Sequence, residues 1–310
     1  MRNQDIIRKA DLALSDLSSG GGLLNPEQTD RFIRVLMDTP TILQSVRTVA
    51  MAGPEMKINK IGFGSRILRP GVSATALQDS DRVKPDLSQI VLNTKEVMAE
   101  IHIPYDVLED NIEGGNVGGA LQEGAGGMHQ TIVDMIAERA SVDLEELGIL
   151  GDTASGDSYL ALCDGYLKMI NTNVVNAGTT YSKDVCKAAV KAMPAKYLRN
   201  RAVLQHFVSV NNETEMRDTY ANRIGALGDS NVQGALPLYV YGSKVTGAPL
   251  MPAANSIFTN PLNLIFGIQR KIMIEYTKDI TKRVFIIVLT TRVAFQVEQN
   301  DAAVKVTGIS

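Results

Sequence analysis

Residues 55–103 contain two strand-like segments that a polar, turn-rich segment separates. The outbound segment is MKINKIGFGSRIL, the return segment is SQIVLNTKEVMAEIHI, and RPGVSATALQDSDRVKPD lies between them. Strands of about twelve residues, at about 3.3 Å per residue, would carry the tip roughly 40 Å outward. Because an isolated hairpin of this length is barely stable in water, the pattern predicts that a partner surface covers it.

A second segment without a core of its own occupies residues 1–50. Apolar residues at helical spacing predict a short first helix, and a second helix is predicted near 27–37, between Pro26 and Pro40. The sequence SSGGG at 18–22 separates the two helices and predicts a flexible joint. Such an arm must lie on the rest of the chain or on a neighbouring subunit.

A glycine-rich stretch precedes the longest predicted helix. Seven of the 26 glycines fall between Gly114 and Gly127. Apolar residues at spacings of three and four then predict a helix of about 30 residues, near 118–148, well above the usual length of about 11–12 residues. Glycines in its first turns lower the helix propensity, so we expect another backbone to cross there closely or the helix to bend.

The second half of the chain predicts an α+β fold. Helix and strand patterns alternate over 183–265, which indicates a compact lobe, and 268–309 predicts β structure with a hairpin turn at 278–279. Alternate residues on one face of the last long strand are predicted to be buried. They are Phe285, Ile287, Leu289, Thr291, Val293, Phe295 and Val297.

Composition excludes several classes of protein. Hydrophobic residues make up 45% of the 310 residues, and 31 basic against 34 acidic residues give a net charge of -3, so a free-standing nucleic-acid binder is disfavoured. Cys163 and Cys186 are too few for a disulfide framework and predict small buried side chains in a reducing compartment. The sequence shows neither a signal peptide nor a membrane-spanning run, which predicts a soluble protein made in the cytoplasm.

Few residues have the spacing that catalysis or metal binding needs. The three histidines, His102, His129 and His206, lie apart from one another and from cysteine, so no zinc site is predicted. The Gly-Asp-Ser blocks at 156–158 and 228–230 resemble hydrolase serine motifs, but neither follows an apolar strand into a helix. We expect packing or surface histidines and turn serines at these positions.

Other motifs favour structural roles as well. No phosphate-binding or dinucleotide-binding glycine loop occurs, and the Gly-Phe-Gly at 62–64 indicates a bulge or a close backbone approach within a strand. The acidic pairs at 109–110 and at Glu145 and Glu146 are interpreted as solvated faces. The sequence therefore assigns no catalytic, cofactor-binding or metal-binding residue, and it predicts a protein that is not an enzyme.

Four segments in a fixed order carry a resemblance to a known family. They are IPYDVLEDN (103–111), DGYLKMI (164–170), MPAKYLRNRAVLQHFVSVNNETEMRDTY (193–220) and TNPLNLIFGIQRKIMIEYTKDITKRVFIIVLTTRVAF (259–295). In order, they resemble the link into the long helix, the entry to the second lobe and the later segments of the major capsid proteins of tailed bacteriophages, which have the Hong Kong 97 fold. The resemblance covers roughly residues 26–309.

The resemblance implies a division of the chain into the parts of that α+β fold. It implies an N-terminal arm, an extended loop, a peripheral domain with a long spine helix near 118–148 and a terminal β-hairpin, and an axial domain. The corresponding ranges are 1–55 for the arm, 56–103 for the extended loop, 104–182 and 266–310 for the peripheral domain, and 183–265 for the axial domain.

The resemblance also implies partners. Copies of the chain would form hexamers and pentamers of an icosahedral shell that encloses double-stranded DNA without sequence-specific binding, with no membrane involved. Scaffolding, portal and decoration proteins are further expected partners, and the shell would assemble in the cytoplasm of the host bacterium. Little chain precedes the arm, so we expect any scaffolding function to come from another protein or from a segment that has been removed.

Some members of the family link their subunits by an isopeptide bond between a lysine of the extended loop and an asparagine of a neighbour. Lys57, Lys60 or Lys84 would supply the amine here, and Asn260 or Asn263 the side-chain amide. Spacing alone does not favour this bond, and many relatives lack it.

Two other functions stay open from the sequence. An encapsulin, which resembles the same fold, would enclose cargo enzymes instead of a genome. A soluble α+β hydrolase would use one of the Gly-Asp-Ser blocks and would form only a small oligomer.

Overall fold

The computed structural model describes residues 41–63, 66–68, 70–71, 82–104, 128–221 and 237–310. Several sequence predictions lie outside these residues. They are the two arm helices, the glycine cluster between Gly114 and Gly127, the first part of the long helix and the Gly-Asp-Ser block at 228–230.

The helices in the described ranges are α1 (Ile42–Ser45), α2 (Met128–Leu150), α3 (Tyr166–Met169), α4 (Lys183–Ala192) and α5 (Val210–Ala221). The strands are β1 (Arg47–Ala50), β2 (Glu55–Gly62), β3 (Asp86–Asn93), β4 (Lys95–Pro104), β5 (Asn173–Asn176), β6 (Gln205–Val208), β7 (Leu238–Val240), β8 (Ser243–Gly247), β9 (Ser256–Thr259), β10 (Leu264–Asp279), β11 (Val284–Val297) and β12 (Ala303–Thr307). None of these helices combines the length and the apolarity that a membrane crossing requires.

One sheet is built around the predicted terminal hairpin. Its described strands follow the order β1-β10-β11-β4, with β10 and β11 antiparallel, β1 parallel to β10, and β4 antiparallel to β11. The predicted buried face of β11 is confirmed, since all seven of its residues are buried. Side chains of a strand point alternately to its two faces, so the alternation of apolar residues in the sequence was sufficient to predict the buried face.

The long helix α2 packs on that face. Leu144 and Leu147 are buried in one core with Phe266, Val293 and Phe295 of the sheet. The ring of Phe295 stacks on Phe266 with the ring centroids 5.3 Å apart. The predicted helix is therefore confirmed where the structure describes it, and it ends at Leu150.

The structure of residues 55–103 differs from the prediction in one respect. Its return segment is two strands, not one: β3 pairs with β2, whereas β4 leaves that pair and joins β11. The division falls at Thr94, whose N–H donates to the carbonyl of Pro54 at 2.9 Å and so closes the base of the β2–β3 pair. The two-stranded ribbon (residues 55–93) thus has paired strands of eight residues, which span about 26 Å.

A second sheet has its described strands in the order β5-β12-β9-β6-β8-β7. Helix α4 packs on it, and together they bury a core that includes Val185, Cys186, Phe258, Val304 and Val306. The α+β lobe predicted for 183–265 supplies four of these strands, and β5 and β12 come from outside that range. The division of the chain into peripheral and axial domains stays a prediction.

Candidate assembly surfaces

The base of the ribbon is held on the first sheet. Its buried cluster consists of Met51, Ile90, Leu92, Ile265 and Ala294. Ile265 and Ala294 alternate with Phe266 and Phe295, so the ribbon covers the face of the sheet opposite to α2. The ribbon is therefore anchored at one end on its own subunit.

The outer end of the ribbon exposes large apolar side chains. Ile61 and Leu87, which are opposite each other in the pair, are 71% and 73% exposed. Phe63 and Ile67 follow at 54% each, and Leu68 is 83% exposed. Contiguous exposed apolar side chains of this kind mark interaction surfaces. The outer end of the ribbon is the first candidate assembly surface.

A cavity on the opposite face of the sheet is the second candidate. Its volume is about 310 Å³, and it lies between α2 and the strands β4 and β11. Val97, Ala99, Ala140, Leu144 and Leu289 form much of its apolar lining. Such a cavity can accept one or two aliphatic side chains.

The same cavity carries negative charge. Asp143 and Glu146, three residues apart on α2, both line it beside Tyr159. The Tyr159 hydroxyl donates to the Asp143 carbonyl at 2.7 Å, and burial together with the charges of Asp143 and Glu146 raises the pKa of Tyr159 well above its ordinary value. Arg139 pairs with Asp143 at 2.8 Å, whereas Glu146 makes no salt bridge among the described residues. We call this site the acidic cavity.

Glu145 corrects the interpretation of the acidic pair as a solvated face. Glu145 is only 2% exposed. Its Oε1 and Oε2 accept hydrogen bonds from the Thr41 N–H at 2.9 and 3.1 Å, and Oε1 also accepts from the Ile42 N–H. These are the open N–H groups at the start of α1, which attract negative charge. Glu145 therefore fixes the point where the arm enters the described body.

The crosslink candidates lie in different environments. The Asn263 side chain is buried and donates to Thr259 Oγ1 at 3.1 Å and to the Gln299 carbonyl at 3.0 Å. The Asn260 side chain accepts from the Leu262 N–H at 3.1 Å and begins a 3₁₀ turn. Both amides therefore have structural roles within their own subunit.

The lysine candidates are all on the ribbon or next to it. Lys60 Nζ donates to the Glu298 carbonyl at 2.6 Å, which ties the ribbon to the end of β11. Lys57 lies 3.6 Å from Glu55, and Lys84 is exposed. The structure brings none of these amines onto an asparagine of the same chain, and the crosslink stays a prediction.

Two histidines have clear environments. His206 is 1% exposed and stacks on Phe258, with centroids 4.1 Å apart, and burial lowers its pKa to about 3. His102 Nε2 lies 2.7 Å from the Glu100 carboxylate. The side chain of His129 lies outside the described residues. His206 is therefore a neutral packing residue, as the sequence analysis expected.

The cysteines and the described Gly-Asp-Ser block show no activated nucleophile. Burial raises the pKa of both Cys163 and Cys186 to about 11, so each thiol is protonated at neutral pH. Asp157 Oδ1 accepts from the Tyr159 N–H at 2.8 Å within a turn. Across the described ranges, no group of three or more His, Cys, Asp or Glu side chains could hold a metal ion.

Comparisons with known proteins agree with an assembly role. The chain is 42% identical to YqbE, a protein of Bacillus subtilis (strain 168) named as a prophage capsid protein, over 100% of this chain and 99% of that protein. The structure of this chain is similar to the capsid protein of a native GTA particle, with a TM-score of 0.66 and 16% identity over 96% of this chain and all of that one. No protein-family model matches the chain.

A second solved structure shows the same likeness in fold. The procapsid of satellite phage P4, determined with its size determination (Sid) protein, matches with a TM-score of 0.65 and 12% identity over 100% of this chain and 98% of that one. Identity at this level shows a shared mixed helix and strand fold, whereas the relative in Bacillus subtilis shows the family. The chain belongs to the phage and prophage capsid proteins, and it is a major capsid protein that builds the virion shell.

Proposed function

We propose that copies of this chain form hexamers and pentamers and that these close into an icosahedral shell around a double-stranded DNA genome. The observation that carries the proposal is the ribbon, which is anchored at its base but exposes Ile61, Phe63 and Leu87 at its outer end. Within the described part of the chain nothing covers these side chains, and another molecule that covers them would remove their apolar surface from water. The ribbon and the body are different surfaces, and contacts between different surfaces form rings when the rotation between neighbours closes.

The parts of the Hong Kong 97 fold are proposed for the same ranges as in the sequence analysis. They are an arm at 1–55, an extended loop at 56–103, a peripheral domain at 104–182 and 266–310, and an axial domain at 183–265. The packing of α2 on β10 and β11 supports the peripheral domain. The pairing of β4 with β11 leaves the ribbon as the projecting part of the proposed loop. Strand β12, in the range proposed for the peripheral domain, pairs with β9, in the range proposed for the axial domain.

The shell is proposed to have a purely structural role and to enclose DNA without reading its sequence. A net charge of -3 suits a container whose wall must not adhere to phosphates. Scaffolding, portal and decoration proteins are proposed partners, by analogy with the Sid protein in the P4 procapsid. Assembly is proposed to take place in the cytoplasm of the host bacterium.

Electron microscopy of the expressed protein tests the assembly. We expect shells, capsomers or tubes, and a large species that elutes in the void volume on gel filtration. A small soluble oligomer under every condition of salt, pH and protein concentration would contradict the proposal, and it is also the result that a hydrolase predicts.

The contents of native particles test the second part of the proposal. We expect nuclease-protected double-stranded DNA in particles purified from induced cells. Particles that hold a packaged enzyme and no DNA would instead identify a nanocompartment of the encapsulin type.

A further inference from the structure

The segment from 183 to 205 has a charge opposite in sign to that of the rest of the chain. It contains six basic residues and one acidic residue, a net charge of +5, whereas the whole chain has a net charge of -3. All the other residues together therefore have a net charge of -8. The six basic side chains are all exposed. They are Lys183, Lys187, Lys191, Lys196, Arg199 and Arg201.

Three of these lysines form a row along one side of α4, which we call the lysine row. Lys183, Lys187 and Lys191 are four residues apart from one another, and the other side of α4 packs on the second sheet. At 1.5 Å per residue the row is about 12 Å long. Like charges four residues apart on a helix repel each other. The row therefore lowers the stability of the helix instead of adding to it.

The lysine row also differs from the rest of the described helices in its lack of counter-charges. Every other lysine or arginine of α1 to α5 forms a salt bridge. The pairs are Arg139–Asp143 at 2.8 Å, Lys168–Asp152 at 2.9 Å and Arg217–Glu213 at 2.7 Å. No lysine of the row has such a partner among the described residues, although Asp184 is only three positions from Lys187. The charge of the row is therefore open to an anion outside the described part of the chain.

The surface of α4 favours a nucleic acid over a folded protein as the source of that anion. Helix α4 exposes no large apolar side chain, whereas protein interfaces bury apolar or aromatic anchors at their centre. Binding to the phosphates of a nucleic acid requires only cations. Over about 12 Å, one strand of duplex DNA has about four phosphates, so each lysine of the row can face one.

We propose that the lysine row binds the phosphodiester backbone of the enclosed double-stranded DNA and that α4 faces the lumen of the shell. Lysine ammonium groups are flexible point charges that hold phosphates without reading base edges, so the contact is independent of sequence. The inference rests on the proposed function, because the genome is the source of the DNA. The net charge of -8 outside the segment repels DNA from the rest of the subunit and limits the contact to this site.

Binding of a fluorescent DNA duplex by the unassembled subunit tests the lysine row. We expect fluorescence anisotropy to detect binding at about 50 mM salt and a steep loss of affinity as salt is added. The triple variant Lys183→Gln, Lys187→Gln, Lys191→Gln should bind at least about tenfold more weakly. The slope of log affinity against log salt should become shallower by about 2.7, so the loss between about 50 and 200 mM salt should be about fortyfold smaller.

A second triple variant removes the same charge from other places. Lys57→Gln, Lys84→Gln, Lys282→Gln also replaces three exposed lysines, so its affinity and salt slope should stay near those of the wild-type chain. Equal losses in the two variants, or no binding by the wild-type subunit at about 50 mM salt, would overturn the proposal. Tighter binding of poly-glutamate than of DNA at the same salt would overturn it as well and would identify an acidic protein partner. Both variants should keep the wild-type melting temperature, because all six side chains are exposed.

Closed empty shells test the direction in which α4 faces. We expect such shells to leave a duplex added outside unbound, whereas subunits released from the same shells should bind it. Binding to closed shells that the first triple variant loses would place the lysine row on the outer surface and would overturn a contact with the genome. Failure of the wild-type chain to form any shell would contradict the proposed function, whereas the duplex assay on the unassembled subunit would still decide whether the row binds phosphates.

Discussion

At the scale of single residues, His206 makes stability depend on pH. Its ring is buried, and neither ring nitrogen has a hydrogen-bond partner among the described residues. Burial lowers its pKa to about 3 in the folded chain, against about 6.5 when unfolded. Between these two values the unfolded chain binds the extra proton, so stability falls as the pH falls.

We therefore expect the unassembled subunit to lose about 2 kcal/mol of unfolding free energy between pH 7 and pH 5 through His206 alone. His206→Phe retains a ring against Phe258 and should remove this part of the pH dependence in urea unfolding curves. His102→Gln is the control and should retain it. An unchanged pH dependence in His206→Phe would mean that the buried ring is not the source.

Glu145 is the second residue with a clear energetic role. Its carboxylate accepts backbone N–H groups of Thr41 and Ile42 while buried. Glu145→Gln retains the shape but turns an N–H₂ group toward these donors, so we expect a loss of about 2 kcal/mol of unfolding free energy. Glu146→Gln, one residue away and half-exposed, should change stability by less than about 0.5 kcal/mol.

Equal unfolding free energies for the two variants would contradict a stabilising role for the hydrogen bonds from Thr41 and Ile42 to Glu145. The sequence did hold a signal for this residue, because Glu145 lies between the buried Leu144 and Leu147. An acidic residue within the apolar face of a helix must find donors or stay unpaired. Nothing in the sequence indicated that residues more than one hundred positions away would supply those donors.

At the scale of elements, the end of α2 depends on two glycines that touch. The Gly165 N–H donates to the Gly151 carbonyl at 2.8 Å. A Cβ on Gly151 would lie 2.4 Å from the Cys163 carbonyl oxygen, and a Cβ on Gly165 would lie 2.7 Å from the Gly151 nitrogen. The atoms in the way belong to the backbone, so a side chain there displaces the whole segment.

Gly151→Ala should therefore lower the unfolding free energy by about 3 kcal/mol, the upper end of the usual cost of overpacking. Gly156→Ala is the matched control. No atom lies within 4 Å of its Cβ position, and its unfolding free energy should change by less than about 0.5 kcal/mol. Thermal or urea unfolding of both variants checks the difference, and similar values for the two would show that the segments can separate at little cost.

Local sequence patterns predicted where strands lie better than they predicted which strands pair with each other. The alternation in β11 identified every buried residue on that face, because the period of a half-buried strand is a local property. The return segment alternates cleanly only after Thr94, at Val97, Ala99, Ile101 and Ile103. This local pattern did not tell which strand each half would join. The hydrogen bond from Thr94 to Pro54, across 40 residues, decides it.

The glycines and the acidic cavity show the same limit. The cluster between Gly114 and Gly127, for which a close approach was predicted, lies outside the described residues, whereas close approaches that no sequence pattern indicated include those at Gly148, Gly151, Gly165 and Gly267. The cavity draws its lining from α2, β4 and β11 and from Tyr159. A site that distant segments build together has no signature in any one of them.

At the scale of the whole molecule, the subunit consists of a body with its own buried cores and a ribbon whose outer end is exposed. Both sheets have buried cores within the described chain. Among the described residues, the ribbon enters neither core, and its base packs on the first sheet in a separate cluster through Ile90 and Leu92. The outer end should therefore matter for assembly and very little for folding, and a replacement can separate the two.

The pairing of the ribbon strands indicates where to cut. Gly62 lies opposite Asp86 at the last pair of the ribbon, so replacing residues 63–85 with Asn-Gly closes β2 and β3 with a two-residue turn that suits a hairpin. The base remains, and with it Lys60, Ile90 and Leu92. We expect a soluble subunit whose melting temperature is within about 2 °C of that of the full chain, a shift that corresponds to about 1 kcal/mol for a chain of this size.

The same variant should form no shells under conditions in which the full chain forms them, as seen by electron microscopy and sedimentation. Full-sized shells from the shortened chain would show that the outer end of the ribbon is dispensable, and an unfolded product would show that the body depends on it. A folded subunit that still forms isolated rings would narrow the role of the ribbon to contacts between rings. If the ribbon binds the neighbouring copy, the shortened subunit should fold but should not assemble. In that result, loss of the exposed apolar segment removes the contact between copies and leaves both cores intact.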